Sequence, residues 1–501
     1  MRSFNQLYNI VISAVCMGLA QHPLGLGWLA WFCLVPLFVS IKDDDKAVKT
    51  LIKVFIWGFI YHLVSLYWLT DNIGLPNRYI AFTTMIASNI ICTLNIIFIF
   101  SIWRFVNFLN NRKIWYSLPF IWMAIDFIRS LDQLSFPWSS IANTQAQESL
   151  LPMIQFIELT GMFGITFWIV SLNISLFYIF LNRSKIKILE SVAIFFLPLI
   201  IGFIINKNDI NNIEKIDFAI LQPNIHIDDK WKGKRMLDKH LDKSDKDLKD
   251  ILLIWPESAF TDDINYKTQQ AINSMKINKM FRDSNISLIS GVTEKTDGGE
   301  LYNSIYYLNQ NNKYDLSRAE KYRKIKLVPM AEHVPFKKIF PSLGDIALSG
   351  NFSKGDEYKI FKYRNSSFAA MVCIESTYPD LSRKFVNKGA QFLIYVANDG
   401  WYINPPQAQQ HAKQTIFRAI ETRKSIIRSG NTGITWVVTP SGEVISALEH
   451  NSEGILRSED IELYSNNTKT LYVLAGDWLS YISIVVTFCL ILVGFIRRYK
   501  R

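Results

Sequence analysis

Five cysteines in 501 residues are too few and too scattered for a disulfide framework. Cys16, Cys33, Cys92 and Cys489 fall inside long apolar runs, where a thiol packs as a small hydrophobe. Cys373 is thereby the only cysteine between residues 206 and 475. The seven histidines, His22, His62, His226, His240, His333, His411 and His450, show no ligand-type spacing, which disfavours a metal centre. No Gly-x-Ser-x-Gly elbow occurs, so a serine triad has no support. Charge is scarce as well: 19% of residues are charged and half are hydrophobic, apolar for a soluble protein yet too charged for a pure membrane bundle. The net charge of +11 does not point to nucleic acid, because residues 206 to 475 hold 37 Lys and Arg against 33 Asp and Glu. Much of the excess belongs to short segments flanking apolar runs. The charge-dense stretch Lys230 to Lys249 carries both signs, with Leu237, Leu241 and Leu248 at helical spacing, and reads as a helix with a solvated face.

About 20 apolar residues cross a bilayer core. Seven candidate spans precede residue 206: Tyr8 to Ala20, Leu24 to Ile41, Leu51 to Leu69, Tyr79 to Trp103, Ile114 to Ile128, Phe163 to Leu181 and Ile188 to Ile205. An eighth runs from Trp478 to Ile496, giving a polytopic bundle over 1–205, a hydrophilic domain over 206–475 and a last helix with a basic tail over 476–501. The first span is short, and only Gln21-His22-Pro23 separates it from the second, so the pair reads as a tight hairpin or one kinked segment. With eight spans, the basic groups Lys42 to Lys53, Arg104 to Lys113, Arg183 to Lys187 and Arg497 to Arg501 fall on one side, while the loops Asp71 to Arg78 and Arg129 to Met162 and the large domain fall on the other. The excess of Lys and Arg marks the cytoplasmic side, so the domain is expected outside the cytoplasm and both termini inside. A cleaved signal peptide would move only the mature N-terminus. Trp138, in Phe136-Pro137-Trp138, is expected either in the interfacial aromatic belt or in contact with lipid.

From Ile216 onward short β-branched or aromatic runs alternate with helical stretches, an α/β pattern. Strands are expected at Ile216 to Leu221, Ile251 to Trp255, Ser287 to Gly291, Tyr302 to Leu308, Ser367 to Ile374, Phe392 to Ala397 and Gly433 to Val438. Helices are expected at Trp231 to Lys249, Lys267 to Arg282, Pro379 to Lys388 and Pro406 to Ile427.

A cysteine attacks carbonyl carbon as its thiolate and needs a base or a cation nearby. Glu257, in Trp255-Pro256-Glu257-Ser258, follows an apolar strand, and ligand sites of open α/β sheets lie at strand ends. It can take the thiol proton. Lys324, in a basic cluster after Tyr322-Arg323, can stabilise a thiolate and an oxyanion. Either of the carboxylates Glu332 and Glu375 could hold that lysine, or be a surface ion-pair partner.

The ordered set Trp255-Pro256-Glu257-Ser258, Tyr322-Arg323-Lys324, Leu327-Val328-Pro329-Met330-Ala331-Glu332, Val372-Cys373-Ile374-Glu375 and Asn398-Asp399-Gly400-Trp401 resembles the Glu-Lys-Cys signature of the nitrilase superfamily. Joined to seven spans before and one after, it resembles the bacterial apolipoprotein N-acyltransferase family. The resemblance implies an extracytoplasmic αββα sandwich, with Glu257 as general base, Lys324 as oxyanion stabiliser, Cys373 as nucleophile, and Glu332 and Glu375 in support. Trp231 and Asn303 match a lid-loop tryptophan and an asparagine near the active site, and Trp138 falls in a family motif that favours lipid contact. Met330 and Ala331 stand where the family has Phe and Gly, and Ile374 where it has an aromatic, departures that bear on acyl preference. The implied reaction takes an acyl chain from a membrane phospholipid onto Cys373 and passes it to the α-amine of a diacylated lipoprotein, in the bacterial inner membrane, by a monomer without cofactor, metal or nucleic acid. A membrane-tethered amidase using water as acceptor would employ the same residues. A catalytically silent lipoprotein receptor would need none of them.

Overall fold

The computed structural model describes residues 2–131, 136–205, 211–227, 229, 236–260, 267–334, 351–402 and 406–500. The chain divides into two compact units, one of residues 1–208 with 475–501 and one of residues 209–474.

The first unit is helical. Among the described residues, five helices are long and apolar enough to cross a membrane: Ala47–Asp71, Arg78–Asn110, Phe163–Leu181, Lys185–Ile205 and Trp478–Tyr499. The apolar stretches Asn5–Ala20 and Gly27–Ile41 and the helix Leu118–Leu131 are shorter. Phe163–Leu181 is the most enclosed of the long helices, whereas Lys185–Ile205 and Trp478–Tyr499 show most of their apolar side chains outward. That distribution suits helices facing hydrocarbon, in which an outward Leu or Phe costs nothing. Small residues permit close crossing: a Cβ on Gly494 would lie 2.6 Å from Leu109 Cβ. The 129–162 connection, expected as a loop, contains short helical turns whose residues 137–147 are buried.

The second unit is a sandwich of two six-stranded sheets. In chain-neighbour order one sheet runs Gly454–Arg457, Phe218–Gln222, Leu252–Ile254, Ser287–Lys295, Leu301–Leu308, Glu320–Arg323. The other runs Val444–Leu448, Thr435–Val438, Ile426–Gly430, Phe392–Ala397, Ser366–Val372, Phe361–Tyr363. Each has a central strand with parallel neighbours on both sides, Leu252–Ile254 in one and Phe392–Ala397 in the other, that is buried throughout, which explains its unbroken apolar sequence. The sheets meet face to face: Tyr307 packs on Phe361 and Phe368 at ring separations of 5.6 and 5.7 Å, and Ser429 Oγ donates to Leu221 O across the layer. Outside the first sheet, Leu237, Ile277 and Phe281 of two helices pack on Trp255, Leu288 and Tyr306. Outside the second, Thr415 accepts from Trp436 Nε1, and Ser382 pairs with Tyr395. The layers are therefore αββα, the expected fold class.

Three expectations about elements need correction. The charge-dense helix spans Met236–Lys243 and ends before Lys249, where Asp245 turns the chain by accepting from the Asp247 amide. The helix expected to reach Ile427 stops at Thr422, Arg423 adopts φ +50°, and Ile426–Gly430 becomes a central strand. Its β-branched pair Ile426 and Ile427 fills the slot between Phe392–Ala397 and Thr435–Val438, a tertiary choice that overrides helical continuity. The strand drawn through Cys373 ends at Val372.

Candidate active site

The strand Leu252–Ile254 has parallel neighbours on both sides, so its exit carries the site's first carboxylate. Ser258 takes φ +53° as the chain turns, and Glu257 is 6% exposed. The turn lies directly on the next strand, where a Cβ on Gly291 would stand 2.5 Å from Glu257 Cα and 2.6 Å from Ser258 N. Only glycine leaves that approach open.

Two strands further on, Lys324 follows Glu320–Arg323 and is clamped through its backbone. Its N–H donates to Asn303 O and its carbonyl accepts from Gly355 N–H, both at 2.8 Å. Gly355 is the second close approach, since a Cβ there would lie 2.1 Å from Arg323 O. The ammonium of Lys324 donates to Glu332 Oε1 at 2.8 Å and stands 3.9 Å from Glu257 Oε1. Asn303 Nδ2 spans the two carboxylates, donating to Glu257 at 2.8 Å and to Glu332 at 3.1 Å. Glu332 Oε2 accepts from the Val328 amide, which fixes the carboxylate.

In the second sheet Ser366–Val372 delivers Cys373. The cysteine takes φ +54° and opens the short turn Cys373–Thr377. A left-handed backbone on a residue with a Cβ costs about 1–2 kcal/mol, and such strain persists only where the surroundings hold it. Glu375 is what holds it. Its Oε2 accepts from Val372 N–H at 2.8 Å, and its Oε1 accepts from Tyr322 Oη, Ile325 N–H and Lys326 N–H at 2.7, 2.7 and 3.0 Å. One fully buried carboxylate thus ties the cysteine turn to the backbone just after Lys324 and to the Tyr322 hydroxyl just before it. Of the two carboxylates expected to hold the lysine, Glu332 touches its ammonium and Glu375 grips the chain around it.

Burial pushes the Cys373 thiol well above its ordinary range and the Glu257 charge adds to the effect, against the opposing pull of Lys324. For Lys324 burial works against the charge, but the carboxylates Glu332 and Glu257 outweigh it and hold the ammonium ionised. The resting site therefore contains a thiol and an ammonium. Burial first, and the neighbouring Glu257 second, keep the proton on the thiol.

Trp138 lies in the other unit, buried, with Phe136 stacked on it at 5.9 Å and Trp68 at 5.3 Å. Trp231 falls outside the described residues. Two features carry roles that the sequence did not assign: the glycines Gly291 and Gly355 and, within Asn398-Asp399-Gly400-Trp401, Asp399. Gly291 and Gly355 matter through contacts with distant chain, although a glycine inside a strand such as Ser290-Gly291 does signal close approach. Asp399 is held by His411 Nδ1 and Arg428 at 2.7 Å each, all three buried, beside the parallel strand that carries Cys373. Among the described residues no group of His, Cys, Asp and Glu could hold a metal ion.

The helix-flanked double sheet is that of a carbon-nitrogen hydrolase domain, and the Carbon-nitrogen hydrolase family matches residues 218–462. The Apolipoprotein N-acyltransferase N-terminal domain matches residues 13–175. An apolipoprotein N-acyltransferase of Thermotoga maritima is 27% identical over 97% of this chain and 93% of its own length. That of Chlorobaculum tepidum is 25% identical over 94% of this chain and 92% of its own. Among solved structures, an amidase from Nesterenkonia sp. is similar over 51% of this chain and 94% of its own at 16% identity and a TM-score of 0.38, too remote to bear on the reaction. The chain belongs to the apolipoprotein N-acyltransferase family.

Proposed function

We propose that this protein transfers an acyl chain from a membrane phospholipid, through a thioester on Cys373, to the α-amino group of a lipoprotein's N-terminal diacylglyceryl-cysteine. The observation that carries the reading is the buried ammonium of Lys324 between two carboxylates, one of which, Glu332, holds it while the other, Glu257, stands 3.9 Å away.

In the first half-reaction Cys373 Sγ bonds to the ester carbonyl carbon as Glu257 takes the thiol proton. The oxyanion that forms faces the Lys324 ammonium. The proton transfer neutralises Glu257 while the oxyanion appears, so the net charge of the site is the same before and during the step. This matters in a buried site, where a second uncompensated negative charge would be costly. The carbon–oxygen bond then breaks, Glu257 returns the proton to the glyceryl oxygen, and a lysophospholipid leaves. In the second half-reaction the free amine attacks the thioester, Glu257 takes a proton from nitrogen, and that proton reaches sulfur as the carbon–sulfur bond breaks. The products are the amide and the resting thiol.

The spans implied by the apolar segments and their flanking charge give a multi-pass protein of the bacterial inner membrane with this chemistry on the extracytoplasmic side. The test is intact mass after incubation with phospholipid. An acyl adduct should form on the wild type and not on Cys373→Ala, and a diacylated lipopeptide with a free N-terminus should discharge it while its N-acetylated form does not. No adduct, together with turnover of a soluble amide, would sink the reading in favour of an amidase.

A further inference from the structure

The chain that joins the sandwich to the last apolar helix is strapped to the second unit before it leaves. After strand Tyr464–Asn466 the buried ammonium of Lys424 donates to Asn466 O, Asn466 Oδ1 and Thr468 O at 2.7, 2.8 and 2.7 Å. Thr470 Oγ1 donates to Glu421 O, and Asn387 Nδ2 donates to Val473 O at 2.7 Å. The short helix Leu471–Ala475 is therefore fixed on the domain at Val473. Trp478, where the apolar helix Trp478–Tyr499 begins, is at most ~14 Å of chain beyond Leu474. A bilayer crossed by that helix has its surface within the same reach.

The surface around this strap carries cations and apolar side chains together. Lys469 Nζ donates to Asn387 O at 3.5 Å, and Lys388 follows Asn387 at the end of helix Pro379–Asn387. Lys384 and Lys388, one turn apart, both lie against the Tyr358 ring, at 5.8 and 5.7 Å from its centre. Asp380 pairs with Lys384 at 2.9 Å. Further along, Lys326 lies over the Tyr378 ring at 4.8 Å; burial lowers its pKa, and the neighbouring charges of Lys354 and Lys384 add to the fall against the opposing Asp380 and Glu375. Like charges gathered in this way repel one another unless an anion joins them. Leu471 and Leu474, three residues apart on the short helix, are 46% and 64% exposed. Lysines beside an apolar step suit the headgroup region of a bilayer, where ammonium groups meet phosphates and leucines reach the acyl boundary.

We propose that this face is a membrane-docking surface: Lys384, Lys388 and Lys469 bind the anionic headgroups of the bilayer that the last helix enters, with Leu471 and Leu474 in its interfacial layer. The partner is a lipid surface and not a soluble anion, because the leucines adjoin the cations in the chain and the strap delivers both to the point where that chain enters the membrane. The inference goes beyond acyl transfer, since the contact fixes the joined end of the sandwich on the bilayer whatever reaction the site catalyses.

The experiment places the full-length protein in nanodiscs of phosphatidylcholine, alone or with one-third phosphatidylglycerol, and follows acetylation of each lysine by a water-soluble succinimidyl ester with peptide mass spectrometry. Lys384, Lys388 and Lys469 should react about fivefold more slowly in the anionic discs, the gain expected for a lysine at an anionic surface, and high salt should remove most of the difference. Lys279, exposed on helix Lys267–Phe281, should keep its rate within twofold. Soluble glycerol phosphate added to the phosphatidylcholine discs should protect none of the three. Equal rates in the two discs, or equal slowing of Lys279, would overturn the inference, the second by revealing a bulk charge effect. Protection by glycerol phosphate would also overturn it, by making the patch a site for a free anion. None of these outcomes bears on thioester formation at Cys373, so the acyl-transfer reading stands or falls separately.

Discussion

Glu257 acts on Cys373 in two opposite directions, which gives the residue scale its sharpest test. As a charge it helps to keep the thiol protonated, and in the proposed reaction it is the base that removes that proton when an electrophile arrives. Glu257→Gln keeps the shape and abolishes both effects. Acyl transfer should fall by about 10²- to 10⁴-fold, the usual contribution of a general base. Alkylation of Cys373 by iodoacetamide, a reaction limited by thiolate and needing no base, should become faster at pH 8. The sign follows from the ionisation: the thiol is held above its ordinary range by burial first and by Glu257 second, so removing the carboxylate lowers its pKa and raises the thiolate fraction below it. In the wild type the alkylation rate should still be climbing at pH 9. Peptide mapping separates Cys373 from the other four cysteines. Slower alkylation in the variant would mean that Glu257 already carries the thiol proton at rest.

At the scale of elements the site is a meeting of strand ends, and buried carboxylates hold those ends together. Asp399 shows what one of them contributes. Burial raises its pKa, but Arg428 and His411 outweigh that and hold it far below 3.8. A carboxyl depressed on folding adds stability that is fully present above its unfolded value and is lost as pH falls below 3.8 toward the folded one. Asp399→Asn leaves the fully buried Arg428 uncompensated and should cost about 3–5 kcal/mol in denaturant titration at neutral pH. That gap should hold from pH 8 to 5 and narrow below 4, and a gap independent of pH would mean the cost is one of packing. Gly291→Ala belongs to the same scale. Its Cβ would push on Glu257 Cα, at about 1–3 kcal/mol of overpacking, and shift the base. Thioester formation should suffer more than melting temperature. The same strand ends show what a sequence can reveal. Apolar runs ending in Glu257 and Cys373 mark buried strands and their exits, because a strand covered on both faces needs unbroken hydrophobicity. What Glu375 grips was not legible, since its four partners lie on segments up to 53 residues away. The left-handed Cys373 was hidden for a related reason: Ile374 prolongs the β-favouring run, and only the pull of Glu375 on the Val372 amide shows that the strand has ended.

At the scale of the whole molecule the question is which side of the membrane the chemistry faces, and the first unit supplies the geometry. Its basic segments, dispersed in sequence, are cross-linked at one end. Arg104 donates to the carbonyls of Asp44 and Asp45, at 3.0 and 2.7 Å, and Lys113 to that of Lys42. Arg498 stacks on Phe108 at 3.8 Å, and Lys187 lies over the ring of Tyr116 at 5.1 Å. All four clusters that the charge pattern assigned to the cytoplasm thus share one end of one bundle. Helix Lys185–Ile205 starts at that end and helix Trp478–Tyr499 finishes at it. With the basic end placed in the cytoplasm, as proposed from the bias of Lys and Arg, the chain between these two helices is expected outside it. The expectation is checked in spheroplasts with a membrane-impermeant maleimide, in a background carrying Cys373→Ser and Cys489→Ser. Asp297→Cys, on an exposed turn, should label at once, and Lys500→Cys, in the exposed tail, only after permeabilisation. The reverse pattern would put the thioester chemistry in the cytoplasm and leave the basic cluster as a structural clamp with no bearing on orientation.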